Sequence, residues 1–302
     1  MSKIKQNNLY SIADLERISG VKAHTIRIWE KRYDLFNPTR TKGNHRLYDD
    51  EDFMRLLNIA RFVKNGYRIS KVAKWSDEEV VEQLARIEAQ AVEEGETAQY
   101  LVDEVLAATI SFDEMRFERA ILSASGTHNF EEVWMKIFVP VLQRIGHLWL
   151  SKKINPAQEH FLSTLIRRKI ALAIDNVTVL DRASKHYLLF LPQGEHHELG
   201  LMMCQYIVRK LGLRSIYLGQ NVPIENIKNY LKTRQPSCLI TFAQSSKMSK
   251  RFRMFLNTWD ENYTVPLVIG GALHRDDAIS VKSMSKVISI SSIDRLKTYL
   301  NE

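Results

Sequence analysis

The chain has 302 residues, of which 45% are hydrophobic and 26% charged, a balance typical of globular proteins with about two domains of ordinary size or three small ones. The sequence has no apolar run long enough to cross a membrane, no signal-peptide core and only two cysteines, which excludes a disulfide scaffold and a zinc module. We therefore expect a cytoplasmic protein without a membrane partner.

The net charge of +8 is unevenly distributed along the chain. Residues 1–75 contain 16 Lys and Arg residues against eight Asp and Glu, whereas residues 76–302 contain 27 of each and are neutral. A basic excess confined to one quarter of a chain is typical of a nucleic-acid-binding module joined to something else.

The first elements predict a helix–turn–helix. Residues 12–19 form a short amphipathic helix, with Ser11 as the N-cap and Asp14 in a capping-box position. Gly20 ends it, and the second helix, TIRIWEKRY, is expected to enter the major groove of DNA. The side chains on and just before it that can reach bases or phosphates are His24, Thr25, Arg27, Lys31 and Arg32.

The next segment, PTRTKGNHRLY at residues 38–48, predicts a β-hairpin wing, followed by helices at 49–65 and 69–75. The wing residues expected to contact DNA are Arg40, Lys42, Asn44, His45, Arg46 and Tyr48. The run from Tyr10 to Tyr48 resembles the winged-helix DNA-binding domain of the MerR family. One departure is Asn44, where a second Gly is usual, and Asn also tolerates left-handed backbone.

The middle of the chain predicts a bundle of four or five helices, at 77–93, 97–107, 112–125, 128–149 and 156–178. It lacks the sustained heptads of a long coiled-coil dimerisation helix. Trp149, Glu159 and His160 form a W-x9-E-H pattern that can cover a flat ligand with polar edges. The alternative is a buried Trp with a surface Glu and a His whose hydrogen bonds are satisfied.

From residue 185 onward short apolar strands alternate with helices, which predicts a Rossmann-like, doubly wound parallel sheet. The expected strands are 186–191, 215–219, 237–242, 265–270 and 286–291, with helices near 197–211, 223–234, 247–259, 272–284 and 293–301. Ligands of such sheets bind beyond the carboxyl ends of the strands. The residues expected at that edge are Glu195, His197, Gly200, Thr241, Gly270 and Gly271.

Glu195, His197 and Gly200 form an E-x-H-x-x-G pattern that can present a histidine to a metal held by a cofactor. The carboxylate is placed to accept the other ring N–H, which fixes the tautomer, and the glycine lets a bulky ring approach the backbone. The alternative is a polar loop that caps a helix.

With Thr241 and the Gly270–Gly271 pair, this pattern resembles the cobalamin-binding Rossmann-like domain over residues 185–302. The resemblance implies that His197 is the lower axial cobalt ligand and that Thr241 lines the pocket of the displaced benzimidazole tail. It also implies that Gly270 and Gly271 allow close approach of the nucleotide. The alternative is a flavodoxin-like receiver or nucleotide domain.

The three parts divide the chain into a winged helix-turn-helix domain (1–76), a helical bundle capping the cobalamin (77–181) and a cobalamin-binding domain (182–302). This order resembles the CarH/LitR group of cobalamin-dependent photoreceptor repressors. The resemblance implies a cytoplasmic repressor of operator DNA, not an enzyme, that uses adenosylcobalamin (alternatively methylcobalamin) to sense light. In the dark Trp149, Glu159 and His160 would cover the adenosyl face and favour a dimer or tetramer on DNA, which light would dissociate.

One position departs from the light-sensing members, in which a His follows the Trp; here that residue is Leu150. Either another residue completes the lit state, or that state has only the lower ligand. The alternatives are a cobalamin-independent repressor that binds a protein antirepressor, a MerR-type regulator of another small molecule, and a cobalamin enzyme.

Overall fold

The computed structural model describes residues 9–41, 43–64, 66–76, 78–80, 82–83, 98–150, 154–178, 186–244 and 248–301. The chain forms two compact units, Met1–Leu165 and Ile166–Glu302. The first is dominated by helices and the second is an α/β unit, so the predicted fold class is confirmed. The predicted domain boundary at residue 181 lies outside the described residues.

The N-terminal helices are α1 (Ile12–Ser19) and α2 (Ala23–Tyr33), which confirms the predicted helix–turn–helix. The backbone N–H of Asp14 donates to Oγ of Ser11 (3.3 Å), and Oδ2 of Asp14 accepts from the backbone N–H of Ser11 (2.9 Å). This capping box satisfies two N–H groups that the first turn leaves without helical partners. Gly20 ends α1 at φ +73°, a backbone region that glycine adopts without strain.

A three-stranded antiparallel sheet, in the order β1-β3-β2, contains the predicted wing. The wing strands β2 (Thr39–Arg40) and β3 (Arg46–Tyr48) pair as expected, and β1 (Tyr10–Ser11) adds a strand that the sequence pattern did not predict. A strand of two residues is too short to show an alternation of apolar and polar side chains, so the sequence could not predict it. Contacts with residues far along the chain hold β1 in place. The Tyr10 ring stacks on Phe53 at 4.8 Å and its hydroxyl donates to Asp50 (2.6 Å).

The remaining helices of the first unit are α3 (Asp50–Lys64), α4 (Ile69–Val72), α5 (Ala98–Ser111), α6 (Glu114–Thr127), α7 (Phe130–Val133), α8 (Val139–Leu150) and α9 (Pro156–Asp175). The last of them, α9, begins in the first unit and ends in the second. Most of the predicted helix at 77–93 lies outside the described residues. The helix predicted at 128–149 is interrupted by a π-helical segment, Trp134–Phe138, between α7 and α8. Helix α7 has Asn129 as its N-cap, and Asn129 forms a capping box with Glu132.

A buried ion network joins α3 to the bundle helices. Nη1 of Arg61 lies 2.6 Å from Oε1 of Glu104, and Nε of Arg116 lies 2.8 Å from Oε2 of the same carboxylate. The Arg61 guanidinium also lies 3.7 Å from the centroid of the Tyr100 ring. Burial alone would raise the pKa of Glu104, but the hydrogen bond from Arg116 and the charges of Arg116 and Arg61 outweigh it and lower that pKa. The carboxylate therefore stays charged inside the protein.

The second unit is built on a five-stranded parallel sheet in the order β5-β4-β6-β7-β8, with the predicted strands confirmed. The strands are β4 (His186–Pro192), β5 (Arg214–Val222), β6 (Cys238–Gln244), β7 (Leu267–Ala272) and β8 (Val287–Ile290). The helices are α10 (Glu198–Lys210), α11 (Ile224–Thr233), α12 (Lys250–Asn257), α13 (Trp259–Asn262), α14 (Arg275–Lys282) and α15 (Ile293–Asn301). After β4 the chain crosses to its neighbour β5 on one side, and after β6 it crosses to its neighbour β7 on the other side. The strand order therefore reverses between β4 and β6. Their carboxyl ends flank the crevice where such sheets bind ligands.

Among the described residues, no helix combines the length and the apolar character that a membrane crossing requires.

Candidate functional site

Helix α2 has one packed face and one basic, exposed face. Ile26 and Trp29 are buried. The exposed residues are His24, Arg27, Lys31 and Arg32, and Thr25 is half-buried. The Arg32 guanidinium lies 5.6 Å from the centroid of the Tyr33 ring. The exposed face is therefore available for the bases and phosphates of a duplex, as in other helix–turn–helix domains.

The wing turn brings two further predicted contact residues together. Nη1 of Arg40 donates to Oδ1 of Asn44 (2.6 Å), and Asn44 adopts a left-handed backbone at φ +60°. The backbone N–H of Thr41 donates to the carbonyl of His45 (3.0 Å), which closes the hairpin. Arg40, Asn44 and His45 are exposed, and Lys42 lies outside the described residues.

Two predicted wing contacts point at Glu30 of α2 rather than outward. Nε of Arg46 lies 2.7 Å from Oε1 of Glu30, and the hydroxyl of Tyr48 donates to Oε2 of the same carboxylate (2.8 Å). Tyr48 is completely buried, and its burial together with the Glu30 hydrogen bond raises its pKa. Tyr48 therefore holds the wing against α2 and does not reach DNA in this arrangement. Local sequence patterns could not predict this contact, because Glu30 lies 18 residues before Tyr48.

The loop between β4 and α10 brings Glu195 and His197 into contact. Oε1 of Glu195 lies 2.5 Å from Nδ1 of His197, and it also accepts the backbone N–H groups of His196 (2.8 Å) and His197 (2.9 Å). Burial alone would raise the pKa of Glu195, but the ring and backbone hydrogen bonds from His197 outweigh it and lower that pKa. A charged Glu195 assigns the ring proton to Nδ1 and the lone pair to Nε2, the nitrogen that would ligate a metal. The imidazole is 57% exposed, whereas the carboxylate is only 18% exposed.

Glu198, the first residue of α10, organises the same loop and has no counterpart in the sequence-based prediction. Its Oε1 accepts from the hydroxyl of Tyr217 on β5 (2.9 Å), and its Oε2 lies 3.4 Å from Nε of Arg167. Burial and the neighbouring charge of Glu198 raise the pKa of Tyr217. These contacts fix the start of α10, for which His197 is the N-cap. Sequence reasoning missed them because both partners are remote along the chain.

Thr241, on β6, lines a cavity of about 140 Å³ at the crevice between β4 and β6. The residue is 1% exposed, and within the described part of the chain its hydroxyl has no hydrogen-bond partner. The other lining residues are Pro192, Gln193, Gly194, Glu195, Phe242, Ala243, Met248, Ser249, Phe252 and Ile269. A buried hydroxyl without a partner is costly, and it suits a ligand that brings a polar atom into the cavity.

The three glycines predicted at this edge all lie against the ring of Phe242. A Cβ atom at Gly200 would lie 2.4 Å from two ring carbons, and one at Gly270 would lie 3.1 Å from the ring. Gly271, at φ +90°, would place a Cβ 2.3 Å from the carbonyl oxygen of Ala243 and 2.8 Å from the ring. Gly200 and Gly271 therefore require glycine because of the protein's own packing, whereas a side chain at Gly270 would only crowd the ring.

In the bundle, Glu159 and His160 lie in the first turn of α9, where Nδ1 of His160 is 3.3 Å from Oε2 of Glu159. The His160 side chain is 77% exposed. Trp149 lies near the end of α8, and its side chain is outside the described part of the structure.

Comparisons with known proteins match two separate segments of the chain to family models. Residues 10–79 match the family model of the MerR HTH family regulatory protein, and residues 101–174 match that of a B12 binding domain. The chain is 27% identical to the HTH-type transcriptional repressor CarH of Myxococcus xanthus over 88% of this chain and 90% of the relative. It is 23% identical to the repressor CarA of the same organism, over 93% of both chains.

Among solved structures, the monomethylamine corrinoid protein of Methanosarcina barkeri has a similar fold. It matches with a TM-score of 0.55 and 14% identity, over 67% of this chain and 97% of that protein. The chain thus combines a MerR-type HTH segment with a B12-binding segment and is homologous to CarH and CarA, as the sequence resemblance predicted.

Proposed function

We propose that this homologue of CarH and CarA is a DNA-binding transcriptional repressor whose ligand is adenosylcobalamin, through which it senses light. The observation that carries the proposal is the Glu195–His197 pair in the loop after β4, where Glu195 lines the same cavity as the unpartnered hydroxyl of Thr241. His197 lies just beyond the carboxyl end of β4, the edge at which doubly wound sheets bind ligands, and its contact with Glu195 assigns the lone pair to Nε2. Methylcobalamin is the alternative form of the cofactor.

The residues of the crevice fit a cobalamin. His197 would hold the cobalt, Glu195 would hold the tautomer of that ring and raise its basicity, and Thr241 would offer its hydroxyl to a polar atom of the cofactor. When bound, adenosylcobalamin supplies a cobalt–carbon bond that visible light breaks. Trp149, Glu159 and His160 are assigned to the adenosyl side, as the resemblance to the photoreceptor repressors implies.

DNA binding rests on the basic face of α2 and on the tip of the wing. Arg27 and Lys31 would reach bases and phosphates in the major groove, whereas Arg40 and His45 would contact the backbone beside it. Arg46 and Tyr48 are assigned to holding the wing through Glu30.

The ligand controls the repressor through its preference for one state of assembly. A ligand shifts an equilibrium only by its differential affinity for the two states, so a light-induced change in the bound ligand would remove that preference. We propose a ligand-dependent dimer or tetramer, because several weakly binding wings gain effective concentration when they are joined. The DNA-binding N-terminal segment and the homology to two transcriptional repressors support a regulator rather than an enzyme.

The decisive test is the visible absorption spectrum of the purified full chain after incubation with adenosylcobalamin in the dark and removal of free ligand. We expect a bound chromophore with the spectrum of a histidine-ligated corrinoid, a change on green illumination, and loss of both in His197→Ala. The matched control is His196→Ala, since His196 is the exposed neighbour. Size-exclusion chromatography of the same samples, dark and lit, tests the oligomer.

A cobalamin-independent repressor that binds a protein antirepressor is the second candidate, and the ring of Phe242 over the three glycines favours it. Under this alternative the wild-type chain elutes colourless and still binds operator DNA. A colourless wild type that binds DNA would replace the photoreceptor proposal with this one.

A further inference from the structure

The cavity that contains Thr241 is lined on one side by the start of helix α12, where Met248, Ser249 and Phe252 contribute to its wall. Oγ of Ser249, the N-cap of α12, accepts the backbone N–H of Phe252 (3.2 Å). The N–H groups of the two residues between them have no carbonyl partner within the helix, and the helix dipole places partial positive charge at this end. The hydroxyl of Thr241 in the same cavity is buried and has no partner among the described residues. The cavity therefore suits a ligand with polar atoms, and its α12 side favours an anion.

Arg251, in the first turn of α12, adds a full positive charge beside this cavity. Its Nη1 donates to Oε1 of Gln193 (3.4 Å), and Gln193 lines the cavity from the loop after β4. Within the described part of the chain Arg251 forms no ion pair with a carboxylate, whereas Nε of Arg253 lies 3.9 Å from Oδ1 of Asp277. The exposed guanidinium of Arg251 is therefore available to an anionic group of a ligand that enters the cavity.

One carboxylate, that of Glu195, also lines the cavity. It is ionised, because its pKa is lowered, and its Oε1 is directed at Nδ1 of His197 and at two backbone N–H groups. The loop after β4 thus places a negative charge next to His197 and, through Gln193, contacts the positive charge of Arg251. A matching ligand has positive charge toward His197 and negative charge toward α12.

We propose that Arg251 and the start of α12 bind the phosphodiester of a cobalamin, which makes Arg251 a residue that selects corrinoids carrying this group. This inference rests on the proposed function, in which His197 holds the cobalt. An alkylcobalamin has a positive charge at its cobalt–corrin centre and a negative charge on the phosphodiester of its nucleotide loop, the two charges that this site complements. The flat guanidinium can donate two hydrogen bonds to one phosphate group.

The test uses three corrinoids, each titrated in the dark into the full chain and followed by absorbance and calorimetry. Adenosylcobalamin has the phosphodiester and the base, adenosylcobinamide phosphate has a phosphate without the base, and adenosylcobinamide has neither. In Arg251→Gln the affinity for the two phosphate-containing corrinoids is expected to fall by about tenfold or more, the usual effect of losing a charge-assisted hydrogen bond. The affinity for adenosylcobinamide is expected to change by less than about threefold.

Two further variants make the result specific. Arg251→Lys keeps the charge but not the paired donors, and it is expected to lose less affinity for adenosylcobalamin than Arg251→Gln does. Arg214→Gln is the matched control, because Arg214 is an exposed arginine at the first position of β5, on the opposite edge of the same sheet. At physiological salt it should leave all three affinities within about twofold of wild type.

The outcomes separate this inference from the proposed function. If Arg251→Gln binds all three corrinoids as wild type does, or weakens all three equally, the assigned role of Arg251 is wrong and corrinoid binding stands. If wild type binds none of the three, the proposed function fails, and the role of Arg251 fails with it.

Discussion

Oε1 of Glu195 lies 2.5 Å from Nδ1 of His197, and the same oxygen accepts the backbone N–H of His197. One carboxylate oxygen thus fixes both the ring and the backbone of the residue that caps the start of α10. The lowered pKa of Glu195 keeps this oxygen ionised at neutral pH. The imidazole is therefore oriented before any ligand arrives.

We expect Glu195→Gln to weaken adenosylcobalamin binding by about 10- to 100-fold, the usual effect of losing the group that orients a metal-ligating histidine. The amide can turn either its oxygen or its NH₂ group toward Nδ1, so it no longer enforces one tautomer. Titration followed by absorbance measures the effect. Glu225→Gln on the exposed surface of α11 is the control, and an unchanged affinity in Glu195→Gln would contradict the assigned role.

Glu104→Gln is expected to destabilise the protein by about 3–5 kcal/mol, because it leaves the Arg61 and Arg116 charges buried without their counter-ion. The folded-state pKa of Glu104 is lowered. Its stabilisation is therefore present above the unfolded pKa of about 4.3 and is lost as the pH falls through the folded value.

Urea denaturation of wild type and Glu104→Gln at neutral and acid pH measures both effects. The difference in unfolding free energy should shrink below about pH 4.3. Removing the exposed Glu225–Lys228 pair should change stability by less than about 1 kcal/mol. A difference that stays constant with pH would show that the charge of Glu104 is not the cause.

Lys31→Ala is expected to weaken binding to any duplex and to lower the slope of log affinity against log salt by about one, because one phosphate contact is lost. Fluorescence anisotropy at several salt concentrations provides the slope. Lys228→Ala, on α11, serves as the matched loss of one positive charge. Equal slopes for wild type and Lys31→Ala would remove Lys31 from the DNA interface.

Tyr48→Phe separates a structural role from a DNA contact. We expect a loss of about 0.5–1.5 kcal/mol in unfolding free energy, since Glu30 loses one hydrogen bond but keeps Arg46. Chemical denaturation measures this loss. The affinity of the folded variant for DNA should stay within about twofold of wild type, and a larger fall would return Tyr48 to the interface.

The two thiols are expected to be unreactive in the folded protein. Burial raises the pKa of both Cys204 and Cys238 to about 12, so the reactive thiolate is scarce near neutral pH. Alkylation by iodoacetamide at pH 8, followed by mass spectrometry, should be at least about a hundredfold slower than in denaturing guanidinium chloride. Fast labelling of either cysteine in the native protein would show that its surroundings open.

Local patterns in the sequence determined much of this fold. The capping box of Ser11 and Asp14 set the start of α1, and apolar runs bounded by helices located all five strands of the parallel sheet. The Glu195–His197 contact was also predictable, because residues two apart at the end of a strand are held close by the chain itself. In each case the determining interactions lie within a few residues.

Tertiary structure alone decided the contacts between residues far apart in the sequence. Glu30 turns Arg46 and Tyr48 inward, Glu104 joins Arg61 to Arg116, and Phe242 fills the space that Gly200 and Gly271 leave. A motif of small residues predicts only that something approaches the backbone there. Whether a cofactor or the protein's own side chain uses that space depends on packing across the sheet, which local sequence patterns do not encode.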